Sequence, residues 1–528
     1  MSIFTKVAVK KPSKSLFNLS HDVKLSLNMG DLVPVLVQDC LPGDKFHISN
    51  QALLRLAPMI APMMHQCNLY TETFFVPTRI LWQGWEAFIK GNTTGNTPPA
   101  FPTINIQSDG SNYSKLVDYM GVPNPNQTTA SDNERINAVP FAAYQMIYNE
   151  FYRDQNLQAI LVDDQNFFLS DGINTPTMLT TMRKRCWEHD YLTSCLPFAQ
   201  KGDPVQLPLG NIDLDGLEVT PNPTRARLPV VKNDIVDLSW TGSNGGYSAP
   251  VGIDSVTTVP PDDRLYAKTE NDDYSITGSA VVDSTTINDL RRAEQLQVWL
   301  EKSARGGTRY TEQIMMHFNV KPQDARLQRP EYITGSRSPI VISEVLNMTG
   351  TPDAPQGQMA GHGVGVNASH GNYYQCQEHG YIITLMSVMP KTAYQQGIPR
   401  HFLKTNDFLD YAWPNFANIG EQEVFNREVM AFRDTVDGDA TFGYVPRYSE
   451  YKFANSRVCG DFRTTLDFWH MGRIFDPTTP PALNEAFVKS DPTTRVFAVE
   501  EGSDLLYCHF YNNVRAVRCL PKYGIPSI

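Results

Sequence analysis

The chain has 528 residues, 41% hydrophobic and 19% charged, which supplies a large core and is not the composition of a disordered polypeptide. Its formal charge of −11 leaves no whole-chain basic field, so any contact with nucleic acid must be local. No run of about 18 apolar residues exists to cross a membrane as a helix, and Met1 to Leu19 lacks the apolar centre of a secretory signal.

Lys6, Lys10, Lys11, Lys14 and Lys24 stand against one acid, Asp22, in the first 24 residues. Pro12 and the serines argue against a helix there, so 1–24 reads as an extended basic arm contacting nucleic acid or another subunit; a solvated terminus is the plainer alternative. Leu25 to Phe46 reads as β. Pro34 interrupts the apolar run Leu32, Val33, Val35, Leu36, Val37 and makes it an edge or bulged strand. Leu41-Pro42-Gly43-Asp44 is a turn, and Leu69 to Val76 is the strongest strand of the first third. Leu81, Trp82, Trp85, Phe88 and Ile89 recur at helical spacing before Gly91. A second helix is expected from Phe141 to Tyr152, begun by Pro140, with Tyr144, Ile147, Tyr148 and Phe151 on one face for core or interface packing.

The composition then breaks. Residues 211–289 contain no Cys, Met, His or Phe and carry a net charge of −8, leaving −3 for the rest of the chain. Short Val, Ile and Thr runs alternate there with Gly245-Gly246 and Pro260-Pro261, the pattern of a solvated, β-rich surface insertion. Asp213-x-Asp215 and Asp262-Asp263 do not follow the twelve-residue calcium pattern and read as a solvated face. Thr286-Ile287-Asn288-Asp289 opens a helix with a capping box that uses Asp for Glu; Leu290, Ala293, Leu296 and Leu300 follow at its period, and Gly306-Gly307 stops it. Downstream, strands are expected at Pro339–Val345, Tyr381–Val388, Arg495–Val499 and Leu505–Phe510, with a mobile glycine-rich loop from Gly357 to Gly371.

Catalytic signatures are sparse. Gly361-His362-Gly363-Val364-Gly365 lacks the spacing and context of a phosphate loop. Cys186 and His189 with Cys195 lack a fourth zinc ligand, and the eight scattered cysteines read as free thiols. Arg183-Lys184-Arg185 and the pair Arg305 and Arg309 either neutralise phosphate or, the favoured reading for an acidic chain, form ion pairs within or between subunits. No metal, cofactor or catalytic residue is assigned.

Four blocks carry a resemblance. They are Phe74-Phe75-Val76-Pro77-Thr78-Arg79-Ile80-Leu81-Trp82; Asp190-Tyr191-Leu192-Thr193-Ser194 with Leu207-Pro208-Leu209; Ala304-Arg305-Gly306-Gly307-Thr308-Arg309-Tyr310 with Gln328-Arg329-Pro330-Glu331-Tyr332; and Phe442-Gly443-Tyr444 with Arg447-Tyr448-Ser449-Glu450-Tyr451 and Leu466-Asp467-Phe468-Trp469-His470. In this order they resemble the major capsid proteins of microviruses, in the gokushovirus branch. The resemblance implies a mainly β fold: an eight-stranded antiparallel viral jelly roll in two sheets, with long loop insertions and a few short helices.

It implies four regions: the basic arm 1–24, a first part of the jelly roll at 25–210, the insertion 211–289 as a threefold protrusion, and a second part at 290–528. The expected function is a T=1 icosahedral shell around circular single-stranded DNA. Lys6, Lys10, Lys11 and Lys14 would face the DNA, while Trp82, Trp85 and Tyr448 would be packed anchors in the core or between subunits. Expected partners are further copies of the chain, the packaged DNA, internal scaffolding, DNA-binding and pilot proteins, and a host surface receptor. The expected location is the virion, and the host cytoplasm during assembly. Two other classes make different demands: a jelly-roll glycoside hydrolase needs facing carboxylates in a groove, and a monomeric lectin needs a surface solvated all round.

Overall fold

The computed structural model describes residues 13–91, 97–107, 109–125, 133–162, 166–206, 286–346, 348, 359–432, 437–499 and 502–523, and the backbone of five strands between 212 and 282. The chain divides into two compact units, Met1–Gly202 with Leu300–Ile528, and Asp203–Trp299.

The first unit is built on β1 (Ser15–Asn18), β2 (His21–Leu27), β3 (Val33–Cys40), β4 (Lys45–Leu56), β5 (Cys67–Pro77), β6 (Glu331–Leu346), β7 (Met359–Ala368), β8 (Asn372–Gln375), β9 (Gly380–Pro390) and β10 (Leu506–Arg518). They pair antiparallel along one path, and β6 is its corner: Glu331–Pro339 pairs with β5, Ile340–Leu346 with β7. One sheet therefore runs β3-β9-β5-β6 and the other β6-β7-β4-β10-β2, with β1 beside β10 and β8 beside β4. Successive strands from β2 to β5 fall on alternate sheets, and β9 and β10 do the same. This is the eight-stranded jelly roll, with β1 and β8 as additions.

Period-two side chains fill the space between the sheets. At one end Leu54, Leu56, Cys508 and Phe510 meet Val33, Val35, Leu69, Met386 and Val388; at the other, Phe46, Ile48 and Val514 meet Leu36, Phe75 and Ile382. A polar layer separates the two clusters. Asn50 lies opposite Asn512, the Thr73 and Thr384 hydroxyls are 2.9 Å apart, and Asn367 bonds Ser336, Ser338 and Thr71. A one-residue slip would strand these groups among apolar ones, so the layer pins the register.

The sheet β3-β9-β5-β6 is covered on its other face as well. Phe74, Val76, Ile383 and Leu385 pack under Trp82, Leu116, Val139, Tyr144 and Ile147, from the connection between β5 and β6. Burial on two faces explains why β5 and β9 are buried along nearly their whole length, whereas β4 and β10 alternate buried and exposed residues. Pro34 does lie on an edge strand, and the β3–β9 register shifts beside it.

The expected helices form with altered limits. The first is only α1 (Trp85–Lys90), because Trp82 turns into the core and its Nε1 donates to Asp171 Oδ1 at 2.7 Å; Gly91 ends it at φ 69°. The second is α2 (Val139–Ile147), with Pro140 in its first turn, continued by a π-helical turn at Tyr148–Tyr152. The third is α3 (Ile287–Arg305); Thr286 N–H donates to Asp289 Oδ2 at 3.2 Å and Asp289 N–H to Thr286 Oγ1 at 3.3 Å, a reciprocal cap.

Two expectations are corrected. The glycine-rich segment is not a loop over Met359–Ala368 but strand β7, whose Gly361, Gly363 and Gly365 face the core. Arg495–Val499 is not a strand: only Phe497 bridges Met59, and the Arg495 guanidinium is held by the carbonyls of Asp467, His470 and Gly472 at 2.8, 3.0 and 2.9 Å. In the second unit, Ile212–Pro221 pairs antiparallel with Tyr274–Val282, and Val230–Lys232 lies between Val236–Asp237 and Leu265–Ala267.

Candidate nucleic-acid interface

The outer face of the β2-β10-β4-β7 sheet is exposed, and the strand period decides what it presents. Outward positions form cross-strand rows about 7 Å apart, two residues of strand rise. One row is Ser26, Tyr507, Arg55 and Val364; the next is Lys24, His509, Leu53 and Val366; further along lie Asn18, Arg515 and His47, with Tyr373 beside His47. Lys45 follows, opposite Val517.

Lys24, Lys45, Arg55 and Arg515 are all exposed, and Asp22 is the one outward carboxylate on the described strands of this face. Asp22 is engaged by His509, whose Nε2 is 3.4 Å from its Oδ2. None of the four cations has a carboxylate within ion-pair distance among the described residues. In a chain of charge −11, this is a local cationic field on a flat surface.

Aromatic groups are interleaved with the charges. Tyr373 is 79% exposed, with its ring centroid 4.6 Å from that of His47, and Tyr507 is 46% exposed. Lys24, Leu53, Arg55, Tyr507 and His509 line a shallow depression of about 460 Å³. Cations beside exposed rings on one flat face are the surface chemistry that takes a single-stranded polyanion, with phosphates on the charges and bases on the rings.

Of the lysines expected at such an interface, Lys6, Lys10 and Lys11 lie outside the described residues. Lys14 is exposed one residue before β1, at the edge of this sheet, and its Nζ donates to Gly43 O at 3.2 Å. Sequence reasoning missed Lys45, Arg55 and Arg515. The available signal was the alternation in Lys45–Leu56 and Leu506–Arg518, which puts charge and aromatic groups on the face opposite the core residues.

The compact basic groups are used within the chain. Lys184 pairs with Asp491; Arg185 pairs with Glu72 at 3.4 Å and lies over Tyr70; Arg183 donates to Gln145 Oε1 at 2.7 Å, and burial pulls its guanidinium below the usual range. Arg305 donates to Glu421 at 2.8 Å, and Arg309 meets Glu312 at 3.2 Å. Trp82 and Tyr448 are buried, and Trp85 packs on His379 with centroids 5.4 Å apart. Cys186 Sγ donates to Gln158 Oε1 at 3.3 Å, Cys195 is buried among Tyr191, Leu192 and Phe442, and all eight cysteines are free thiols.

The sequence matches a family model described as capsid protein (F protein) over residues 5–528. It is 34% identical to capsid protein VP1 of Chlamydia phage 1, an alignment covering 99% of this chain and 97% of that protein. Capsid protein VP1 of Bdellovibrio phage phiMH2K is 32% identical, over 99% of this chain and 97% of that protein. Capsid protein VP1 of Spiroplasma virus 4 is 30% identical, over 98% and 95%.

Proposed function

The chain belongs to the capsid protein (F protein) family, with its relatives in the gokushovirus branch of the microviruses, and we propose that it builds a T=1 icosahedral shell around circular single-stranded DNA. It is a structural subunit of the virion, not an enzyme. The observation that supports DNA enclosure is the exposed β2-β10-β4-β7 face with Lys24, Lys45, Arg55 and Arg515, none of them ion-paired among the described residues. Phosphates would displace counterions there, giving binding that is salt-dependent and largely indifferent to sequence. The lysine arm Lys6, Lys10, Lys11 and Lys14 would add to it from the sheet edge at β1.

The acidic insertion 211–289 is the surface protrusion of this reading, at each threefold axis, where its charge of −8 does not oppose packaging and where a host receptor is met. Assembly takes place in the host cytoplasm with internal scaffolding, DNA-binding and pilot proteins.

The test is assembly of the purified full-length chain with circular single-stranded DNA, followed by electron microscopy and nuclease protection. Closed particles with protected DNA are expected. The triple variant Lys24→Gln, Arg55→Gln, Arg515→Gln should still form shells but bind single strands with a salt slope smaller by about 2, at roughly 0.7 per lost phosphate contact. A chain that stays monomeric under all assembly conditions, or a triple variant that protects as much DNA at raised salt as the parent, overturns the proposal.

A further inference from the structure

A second polar cavity lies away from the exposed sheet face, where the β5–β9 ladder runs out. Lys391 N–H donates to Gln66 O at 2.8 Å, one step beyond both strands, and Tyr394 then pairs with the loop at Ser456–Val458 (Tyr394 N–H to Ser456 O, 3.0 Å; Val458 N–H to Tyr394 O, 3.2 Å). These connections border an open cavity of about 350 Å³, at the small end of the range of pockets for small ligands.

The lining is uneven in a telling way. Lys391 and Arg457 both reach it, both are exposed, and no carboxylate is among the lining residues. Neither cation is within ion-pair distance of a carboxylate among the described residues. The histidines at the site are already engaged by the protein. His470 donates from Nε2 to Phe462 O at 2.7 Å and accepts the Gly472 N–H on Nδ1 at 2.9 Å; His65 donates to Lys391 O, and burial holds it below the usual histidine range. Met64 and Phe462 supply an apolar side. The Phe462 ring is fixed edge-to-face against Trp469 and His470, at 6.4 and 6.3 Å between centroids.

Two exposed cations line one cavity, neither of them ion-paired among the described residues, so a phosphate can be taken there, and a fixed ring beside them offers a stacking surface. We propose that this cavity receives one nucleotide unit of a single DNA strand, its phosphate on Lys391 and Arg457 and its base against Phe462. A base enters only if unstacked, so the site selects single strands over duplex. The inference rests on the reading of the chain as a DNA-enclosing shell subunit and adds a discrete site to the diffuse sheet face.

The experiment is fluorescence anisotropy of the full-length chain with labelled oligothymidylate across a salt series, with dTMP and inorganic phosphate as competitors. Lys391→Gln/Arg457→Gln should weaken binding at low salt and reduce the slope of log affinity against log salt by about 1.4. Phe462→Leu should weaken binding by about fivefold or more with the slope unchanged. dTMP should displace the oligomer better than inorganic phosphate does, and lose that advantage in Phe462→Leu. If the Lys391/Arg457 variant, at two exposed positions, binds as the parent does while the Lys24/Arg55/Arg515 variant is impaired, the pocket is refuted and the shell reading stands. If the parent binds no oligonucleotide even at low salt, both fall. Equal displacement by phosphate and dTMP overturns base recognition.

Discussion

Gly361, Gly363 and Gly365 mimic part of a phosphate loop in the sequence, and the folded chain gives them a different reason. A Cβ on Gly361 would stand 2.5 Å from the Ala61 carbonyl oxygen; on Gly363, 2.7 Å from Leu56 Cδ1; on Gly365, 3.1 Å from Ile340 Cγ1. The intervening His362 and Val364, and Val366 after them, turn to the other side of β7. The alternation is thus a strand with its small residues toward a core that has no room for side chains. Gly361→Ala should cost about 1–3 kcal/mol of unfolding free energy, because backbone rather than a side-chain tip must move. Chemical denaturation reads this directly, and an unchanged midpoint would show that the contact relaxes freely.

Elements in this fold are joined by a few polar ties as well as by apolar faces. Asp504, just before β10, accepts from Ser26 Oγ on β2 at 2.6 Å, from Asn28 Nδ2 at 3.1 Å and from Lys115 Nζ at 2.6 Å. Burial pushes its carboxyl upward, but Lys115, Ser26 and Asn28 together outweigh burial and hold it below the usual aspartate range. A depressed folded-state value means that the ionised form stabilises the fold above the ordinary aspartate pKa, and that this contribution is lost as pH falls through the depressed value. Asp504→Asn should therefore cost about 1–3 kcal/mol near neutral pH. The gap between parent and variant should close as pH falls below about 4. Urea unfolding at several pH values measures it; a constant gap across that range would mean the tie is not ionic.

At the scale of the molecule, the first unit is interrupted in sequence but closed in space. Lys201 N–H donates to Leu300 O at 3.4 Å, so the two ends of the first unit around Asp203–Trp299 are adjacent. A short Gly-Ser linker in place of 203–299 closes that gap at small entropic cost. The shortened chain should fold cooperatively, with a thermal midpoint within a few degrees of the parent by calorimetry. Insoluble or non-cooperative material would show that the barrel depends on the removed unit. The same deletion should leave single-strand binding in place, because every residue assigned to it lies outside 203–299.

Much of the barrel was legible in the sequence because it follows from local periodicity. The β-branched and aromatic residues of Leu69 to Val76 marked a strand and Pro34 an edge, whereas the alternation in Lys45–Leu56, a strand with one wet face, went unread. The Thr286–Asp289 cap and the Gly306-Gly307 stop were legible for the same reason, since they act within one turn of chain. The cationic face was not legible: Lys24 and Arg515 are nearly 500 residues apart, and only strand register places both on one surface. Pairing of the Arg183-Lys184-Arg185 group was the favoured reading of the sequence, but its partners Gln145, Asp491 and Glu72, which come from distant segments, were not legible. Sequence determines which residues can share a face, because side-chain direction is set by backbone period. Which faces meet, and which charges are left unpaired, is decided by long-range pairing of strands, which no local pattern encodes.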